Sequence, residues 1–358
     1  MRLLIAGGGT GGHLYPGIAV ARELMARDPS AQVTFVGTAQ GIEARVLPRE
    51  GLTLDLIRSA GLKGKSIVTV ARGLSLLPLS ALDAWRVLSS RRPQVVIGLG
   101  GYSSGPVVML AAMRGIPTMV MEQNAIPGFS NRRLAGIVRA AAVTYEESLS
   151  TFGAKAFVSG NPVRSEFFEE AHADQISPPG AARVLVFGGS QGAHAINVAM
   201  VEAAPRLAAA AGRLAITHQT GERDLEMVRD GYRRAGLEAR VEPFLFAMDR
   251  EMKGADLVIS RAGATTLAEL TASGKPSILV PLPTATDDHQ RKNALALVNE
   301  GASRLVEQRD LSGGRLAAEI HALAGDDALR RRMGDAARRM ARPDAARVIV
   351  DKVLALAR

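Results

Sequence analysis

Short apolar runs recur along the chain, each followed by a glycine-rich or polar turn and then by apolar residues at helical spacing. Residues 3–6 predict a buried strand, Gly7 to Gly12 a tight turn, and residues 16–24 a helix with Pro16 in its first turn. Further strands are predicted at residues 32–37, 54–57, 94–98, 117–121, 142–145 and 156–159, with a short helix from Ile42 between the first two of them. Residues 164–182, with clustered acids and the Pro178-Pro179-Gly180 run, have linker composition. The pattern then restarts: Arg183-Val-Leu-Val-Phe-Gly-Gly-Ser-Gln-Gly-Ala-His194 echoes residues 2–13, and strands follow at 214–217, 239–242, 256–260, 276–281 and 303–306. Residues 329–358 read as helical. Strand and helix alternating in this way predict two similar doubly wound, Rossmann-like α/β domains facing a cleft.

Length supports two domains, since 358 residues exceed the size at which single cores usually stop growing. The chain has no cysteine, which excludes disulfides, thiolate metal sites and cysteine nucleophiles, and a reducing cytosolic setting fits. A net charge of +9 asks for an acidic partner: nucleic acid, anionic lipid or a phosphorylated substrate. Aromatic residues are only 4% of the chain, too few for surfaces that stack single-stranded bases. The chain opens directly on a strand, so no signal peptide is expected. No run approaches the ~20 apolar residues of a membrane span. Between Ser59 and Arg92, basic residues (Lys63, Lys65, Arg72, Arg86, Arg91, Arg92) surround an apolar set that includes Ile67, Leu74, Leu79 and Trp85. That is the composition of a membrane-surface patch, and equally of an ordinary packing stripe with a solvated rim.

Glycine turns at helix starts are places for phosphate, because unpaired N–H groups and the helix dipole point at whatever the turn holds. Three such turns in the first half, after residues 6, 98 and 121, fall at the carboxyl edge of a parallel sheet, where open α/β sheets bind ligands. Gly7, Gly9 and Gly12 fit a dinucleotide fingerprint, but the second strand ends in Gly37-Thr38 without the acid that would hold a ribose. In the second half, Arg261-Ala-Gly-Ala-Thr-Thr-Leu-Ala-Glu269 combines small residues at a helix start with two hydroxyls and, one turn on, a carboxylate that can accept from a ribose diol. His289 and Gln290 are candidates for reading sugar hydroxyls. Asp287-Asp288 and Asp326-Asp327 look like helix-start acids, and no metal site is expected.

Eight segments, in order, carry a family resemblance: Gly8-Gly-Thr-Gly-Gly-His13, Gly100-Gly-Tyr-Ser-Ser-Gly-Pro106, Glu122-Gln-Asn124, Gly160-Asn-Pro-Val-Arg164, Gly188-Gly-Ser-Gln-Gly192, His218-Gln-Thr-Gly221, Arg261 to Glu269, and His289-Gln290 with Asn293-Ala294. They resemble the bacterial cell-wall glycosyltransferases of family 28, which add N-acetylglucosamine to lipid I. The resemblance implies a glycosyltransferase B fold, UDP-N-acetylglucosamine as donor, undecaprenyl-diphosphate-linked muramoyl-pentapeptide (lipid I) as acceptor, lipid II as product, and no cofactor, metal or nucleic acid. It places the protein on the cytoplasmic face of the inner membrane, against an anionic surface. The division it suggests is residues 1–162 for the acceptor and membrane, 163–340 for the donor, and 341–358 as a helix packing back on the first domain.

By the same resemblance the donor is held by Arg164, Ser190, Leu245, Ala264, Thr265, Thr266, Leu267, Ala268, Glu269 and Gln290, with Thr10, Gly11, Gly12 and Asn124 from the first domain. The acceptor falls to Gly9, His13, Gly101, Tyr102 and Ser103. Leu245-Phe246-Ala247 departs from the family's more polar run, so a contact from Leu245 to uracil would be by backbone or packing. The implied reaction is a single inverting displacement, for which His13 is the first candidate base, an imidazole titrating near neutrality, and Glu122 the second. A nucleotide-sugar 2-epimerase, an NAD-dependent dehydrogenase and a non-enzymatic basic binding module remain as rival readings at this point.

Overall fold

The computed structural model describes residues 1–59, 76–169, 181–189, 192–209, 214–285 and 288–358. They form two compact units, Met1–Arg164 together with Arg342–Arg358, and Ser165–Ala341. The first is built on seven parallel strands: β1 (Arg2–Ala6), β2 (Gln32–Gly37), β3 (Thr53–Leu56), β4 (Val95–Gly98), β5 (Thr118–Glu122), β6 (Ala140–Val143) and β7 (Ala156–Val158), in the order β3-β2-β1-β4-β5-β6-β7. The second has β8 (Ala182–Phe187), β9 (Leu214–Gln219), β10 (Ala239–Glu242), β11 (Leu257–Ser260), β12 (Ser277–Leu279) and β13 (Ser303–Leu305), in the order β10-β9-β8-β11-β12-β13. Every predicted strand is present within two residues at either end. Continuous apolar runs were legible because each sheet is covered on both faces. In β1, Leu3 and Ile5 enter one core while Leu4 and Ala6 enter the other.

Two helix predictions change. The first helix runs Gly11–Arg27 and leaves Pro16 inside it rather than in the first turn. Its start is set by Thr10, which is extended at φ −135° and whose carbonyl accepts from the amides of His13 (3.3 Å) and Leu14 (3.2 Å). His13 therefore rides on the helix, not in the loop. The C-terminal helical stretch is two helices, Asp327–Arg339 and Ala345–Leu356, broken where Pro343 removes a donor and turns the residue before it away from helix. Ile349, Val350 and Val353 of the last helix are buried in the first unit's core. Asp326 caps its helix through Leu329 N–H at 2.8 Å, as a helix-start acid should.

Both sheets reverse strand order between their two central strands, β1 and β4 in one, β8 and β11 in the other. Chains leaving those strands diverge to opposite faces, which opens a crevice at the carboxyl edge of each sheet.

Candidate functional site

In the first unit, the turns after β1 and β4 meet at this crevice. Gly101, at φ +79°, lies so close to Gly8 that a Cβ there would come within 2.9 Å of the Gly8 carbonyl oxygen. The His13 ring lies over Gly100, its Nε2 3.2 Å from where a Cβ would stand, and its Nδ1 is 3.2 Å from the Thr10 hydroxyl. Tyr102 is half exposed, with its carbonyl accepting from the Ser59 hydroxyl, while Ser103 is buried just ahead of the helix Ser104–Met113. Gly9 lies in the same turn, Gly11 and Gly12 open the first helix, and the Arg164 guanidinium stacks 4.8 Å over the Tyr15 ring of that helix. Glu122 is buried, and both carboxylate oxygens are occupied: Oε1 accepts from the Asn124 backbone and side chain (3.0 and 3.2 Å), Oε2 from Gly128 N–H and Asn131 Nδ2 (each 2.9 Å). This carboxylate braces the loop that carries Asn124.

A buried carboxylate that sequence reasoning missed holds the first glycine turn. Glu43 accepts from Gly9 N–H at 2.7 Å and from the Thr38 amide at 2.8 Å, and Gly8, Gly37 and Gly41 leave the space it fills. The dinucleotide fingerprint expects its acid directly at the end of the second strand. Here the acid stands five residues past Thr38 and serves the loop from beneath; it uses a donor that a bound phosphate would otherwise take.

In the second unit, the helix Ala264–Ala272 begins at Gly263, which is extended and has no side chain to cap the first N–H groups. Thr265 and Glu269 are buried on it; Leu267 is buried too, while Thr266 and Ala268 are partly exposed. Arg261, just ahead, is held by neutral acceptors: the Val280 and Pro281 carbonyls and the Gln308 side chain, at 2.8 to 3.1 Å. Burial pulls its pKa down, yet guanidinium stays charged at any physiological pH. Gln290 turns its Oε1 to Leu282 N–H at 3.0 Å, which directs its amide hydrogens elsewhere. Leu245 is buried and gives its N–H to Gln219 Oε1 at 2.9 Å. Ser190 lies outside the described residues, as do Asp287 and the stretch 60–75 that holds Lys63, Lys65 and Arg72.

Beneath the second glycine turn lies a buried polar network. Gly192, at φ +75°, sits so close to Thr220 that a Cβ would meet its carbonyl oxygen. That carbonyl accepts from Asn197 Nδ2 (2.9 Å), and Asn197 Oδ1 in turn pairs with His218 Nε2 (3.0 Å), whose Nδ1 pairs with the Tyr232 hydroxyl (2.7 Å). Burial pushes the His218 pKa down to about 3, so the ring is neutral in the folded protein.

Residues 3–143 match the glycosyltransferase family 28 N-terminal domain and residues 183–349 its C-terminal domain. The chain belongs to glycosyltransferase family 28. Among its relatives, the UDP-N-acetylglucosamine--N-acetylmuramyl-(pentapeptide) pyrophosphoryl-undecaprenol N-acetylglucosamine transferase of Anaeromyxobacter sp. (strain K) is 50% identical over 359 residues, 100% of this chain and 94% of that protein. The enzyme of the same name from Geobacter sulfurreducens is 48% identical over 361 residues, 100% of this chain and 99% of that one. The crystal structure of Acinetobacter baumannii MurG has a TM-score of 0.74 at 30% identity, covering 99% of both chains. A UDP-GlcNAc 2-epimerase from Neisseria meningitidis reaches 0.69 at 14% identity over 99% of this chain and 100% of that one, a likeness of fold alone. With both halves of the family present, the two units have the glycosyltransferase B architecture, one doubly wound domain each.

Thus in this family 28 chain the first-unit candidates gather at one sheet edge, and Leu245, Ala264 to Glu269 and Gln290 gather at the other sheet's edge. The neutral His218 has a consequence for stability. Below about pH 6.5 the unfolded chain protonates this side chain while the folded protein does not until about pH 3, so acid favours unfolding across that window. The stability due to His218 is complete above pH 6.5 and declines as pH falls. Urea unfolding of the second unit, followed against pH, is expected to lose one proton's worth of slope between pH 6.5 and 3 in His218→Gln; an unaltered slope would contradict the assignment.

Proposed function

We propose that the chain is an inverting N-acetylglucosaminyltransferase that moves the sugar from UDP-N-acetylglucosamine to the 4-hydroxyl of the muramoyl residue of lipid I, releasing UDP and lipid II. The observation that carries this reading is full-length identity near 50% to relatives bearing that activity in their name. The second unit's chemistry agrees with a nucleotide diphosphate. An uncapped helix start at Gly263 offers N–H donors to the diphosphate, Arg261 adds a nearby positive charge, and Glu269 stands one turn in for the ribose hydroxyls. Leu245 has its N–H committed to Gln219, so its carbonyl is what it presents to a base, an acceptor matched to the N3–H of uracil. Gln290, with its oxygen turned to Leu282, presents amide hydrogens to sugar hydroxyl oxygens.

In the displacement, the acceptor hydroxyl attacks the anomeric carbon as the diphosphate leaves from the opposite face, and the hydroxyl proton passes to a base. His13 is that base in our reading. When its Nδ1–H donates to Thr10, Nε2 carries the lone pair the proton needs, and the start of the helix fixes the ring. Glu122 is assigned instead to bracing, since four donors already occupy its carboxylate. Negative charge accumulates on the departing diphosphate in the transition state, and the helix start with Arg261 stabilises it without a metal ion. Arg164, Ser190, Asn124 and the turn Thr10 to Gly12 keep the donor-side roles that the family pattern gives them; Gly9, Gly101, Tyr102 and Ser103 keep the acceptor.

The acceptor's lipid tail calls for a membrane surface. Among the described residues no helix is long and apolar enough to cross a bilayer. Leu79, Leu82 and Trp85 on the helix Leu77–Arg91, with Met109 and Met113 on the helix packed beside it, are exposed, and Arg114 stacks 4.5 Å over Trp85. Exposed apolar side chains among arginines suit peripheral binding to an anionic leaflet, the cytoplasmic face of the inner membrane in this reading.

Labelled UDP-N-acetylglucosamine and a lipid I analogue, incubated with the protein with and without chelator, test the reading; absence of lipid II product would end it. In that assay Glu269→Ala is expected to raise the donor KM about tenfold or more, as hydrogen bonds to a charged group are lost. An unchanged donor KM would remove Glu269 from the site. His13→Ala is expected to lower kcat by about 100-fold or more with UDP binding retained, the usual scale for a general base, and wild-type turnover would reject His13. Double replacement Leu82→Glu with Trp85→Glu is expected to weaken binding to phosphatidylglycerol vesicles about tenfold; equal partitioning would place the membrane contact elsewhere.

A further inference from the structure

Gln219 closes β9 and is buried, with 2% of its surface exposed. Its side-chain amide does two things at once. Nε2 donates to the Gly189 carbonyl at 2.8 Å, and Oε1 accepts from Leu245 N–H at 2.9 Å. Gly189 belongs to the turn after β8; Leu245 belongs to the segment that follows β10. Backbone bonds from Thr220 N–H to Glu242 (3.0 Å) and from Gly221 N–H to Pro243 (3.1 Å) stop short of Leu245. Gln219 thus spans two loops that face different ends of a nucleotide: the diphosphate at the glycine turn and the base at Leu245.

We propose that Gln219 is a positioning residue that sets the distance between the diphosphate-binding and uracil-binding backbones, and so selects a ligand carrying both groups. The inference rests on the donor-site reading given above. An amide is suited to the task because one planar group donates and accepts in opposite directions; a carboxylate could only accept, and a thioether could do neither well. Without the bridge, Gly189 C=O and Leu245 N–H each lose a partner. The two loops then no longer hold a common spacing, and a ligand that touches both must order them as it binds. A ligand that touches one loop has no such cost.

The test compares UDP, uridine and inorganic pyrophosphate as competitive inhibitors of sugar transfer by wild type and Gln219→Met. The expected result is a UDP inhibition constant about tenfold weaker, the scale of one lost buried hydrogen bond. Uridine and pyrophosphate should keep their wild-type constants, the donor KM should rise, and kcat with the acceptor KM should stay within about twofold of wild type. Uniform weakening of all three inhibitors would overturn the proposal in favour of general loosening of the domain, and so would unchanged UDP inhibition. If Gln219→Met does not fold, Gln219→Asn carries the same comparison, since it keeps the amide but is one methylene too short to reach both loops. Glu269→Ala serves as the control on the underlying reading. If it weakens UDP and the Gln219 variants do not, positioning by Gln219 fails alone; if neither variant weakens UDP, the donor site itself lies elsewhere.

Discussion

A parallel strand buried on both faces has no side chain to spare for chemistry, and that constraint shapes both halves of this protein. β1, β4 and β8 carry no polar side chain at their buried positions and β11 only Ser260 at its last residue, so the groups able to bind or react fall in the turns beyond the carboxyl ends. At each reversal of strand order the chain leaves neighbouring strands in opposite directions and a crevice opens, and glycine lets the turns beside it pack closely. Where Gly101 passes Gly8, and where Gly192 passes Thr220, any larger residue would hold the backbones apart. The site begins as a packing solution for two loops.

Buried polar side chains then hold those loops in one arrangement. Glu43 gathers Gly9 and Thr38, Glu122 gathers Asn124, Gly128 and Asn131, and Gln219 joins Gly189 to Leu245. Each makes at least two hydrogen bonds to backbone, and pairing of this kind is the condition for placing a polar group inside at little net cost. Each thereby fixes the N–H and C=O directions of the loop it holds. Groups beneath the loops are engaged by protein, while Gln290 turns its oxygen to Leu282 N–H and so directs its amide hydrogens away from that bond.

By itself the sequence determined the strands, the two-domain α/β plan, the glycine turns and the family. Apolar runs, glycine clusters and ordered motifs are local signals, and a doubly covered parallel sheet writes them plainly. The tertiary structure alone decided where helices begin and which polar residues face inward. Pro16 suggested a helix start that packing and the Thr10 carbonyl moved back to Gly11, and Pro343 split the terminal helix so that its last segment joined the first domain's core. Glu43 reads in the chain as one more surface acid of a short helix, and Gln219 as one residue of a motif. Gly9 stands 34 residues from Glu43 and Gly189 stands 30 from Gln219, and a hydrogen bond across that separation exists only once the sheet has set its strands side by side.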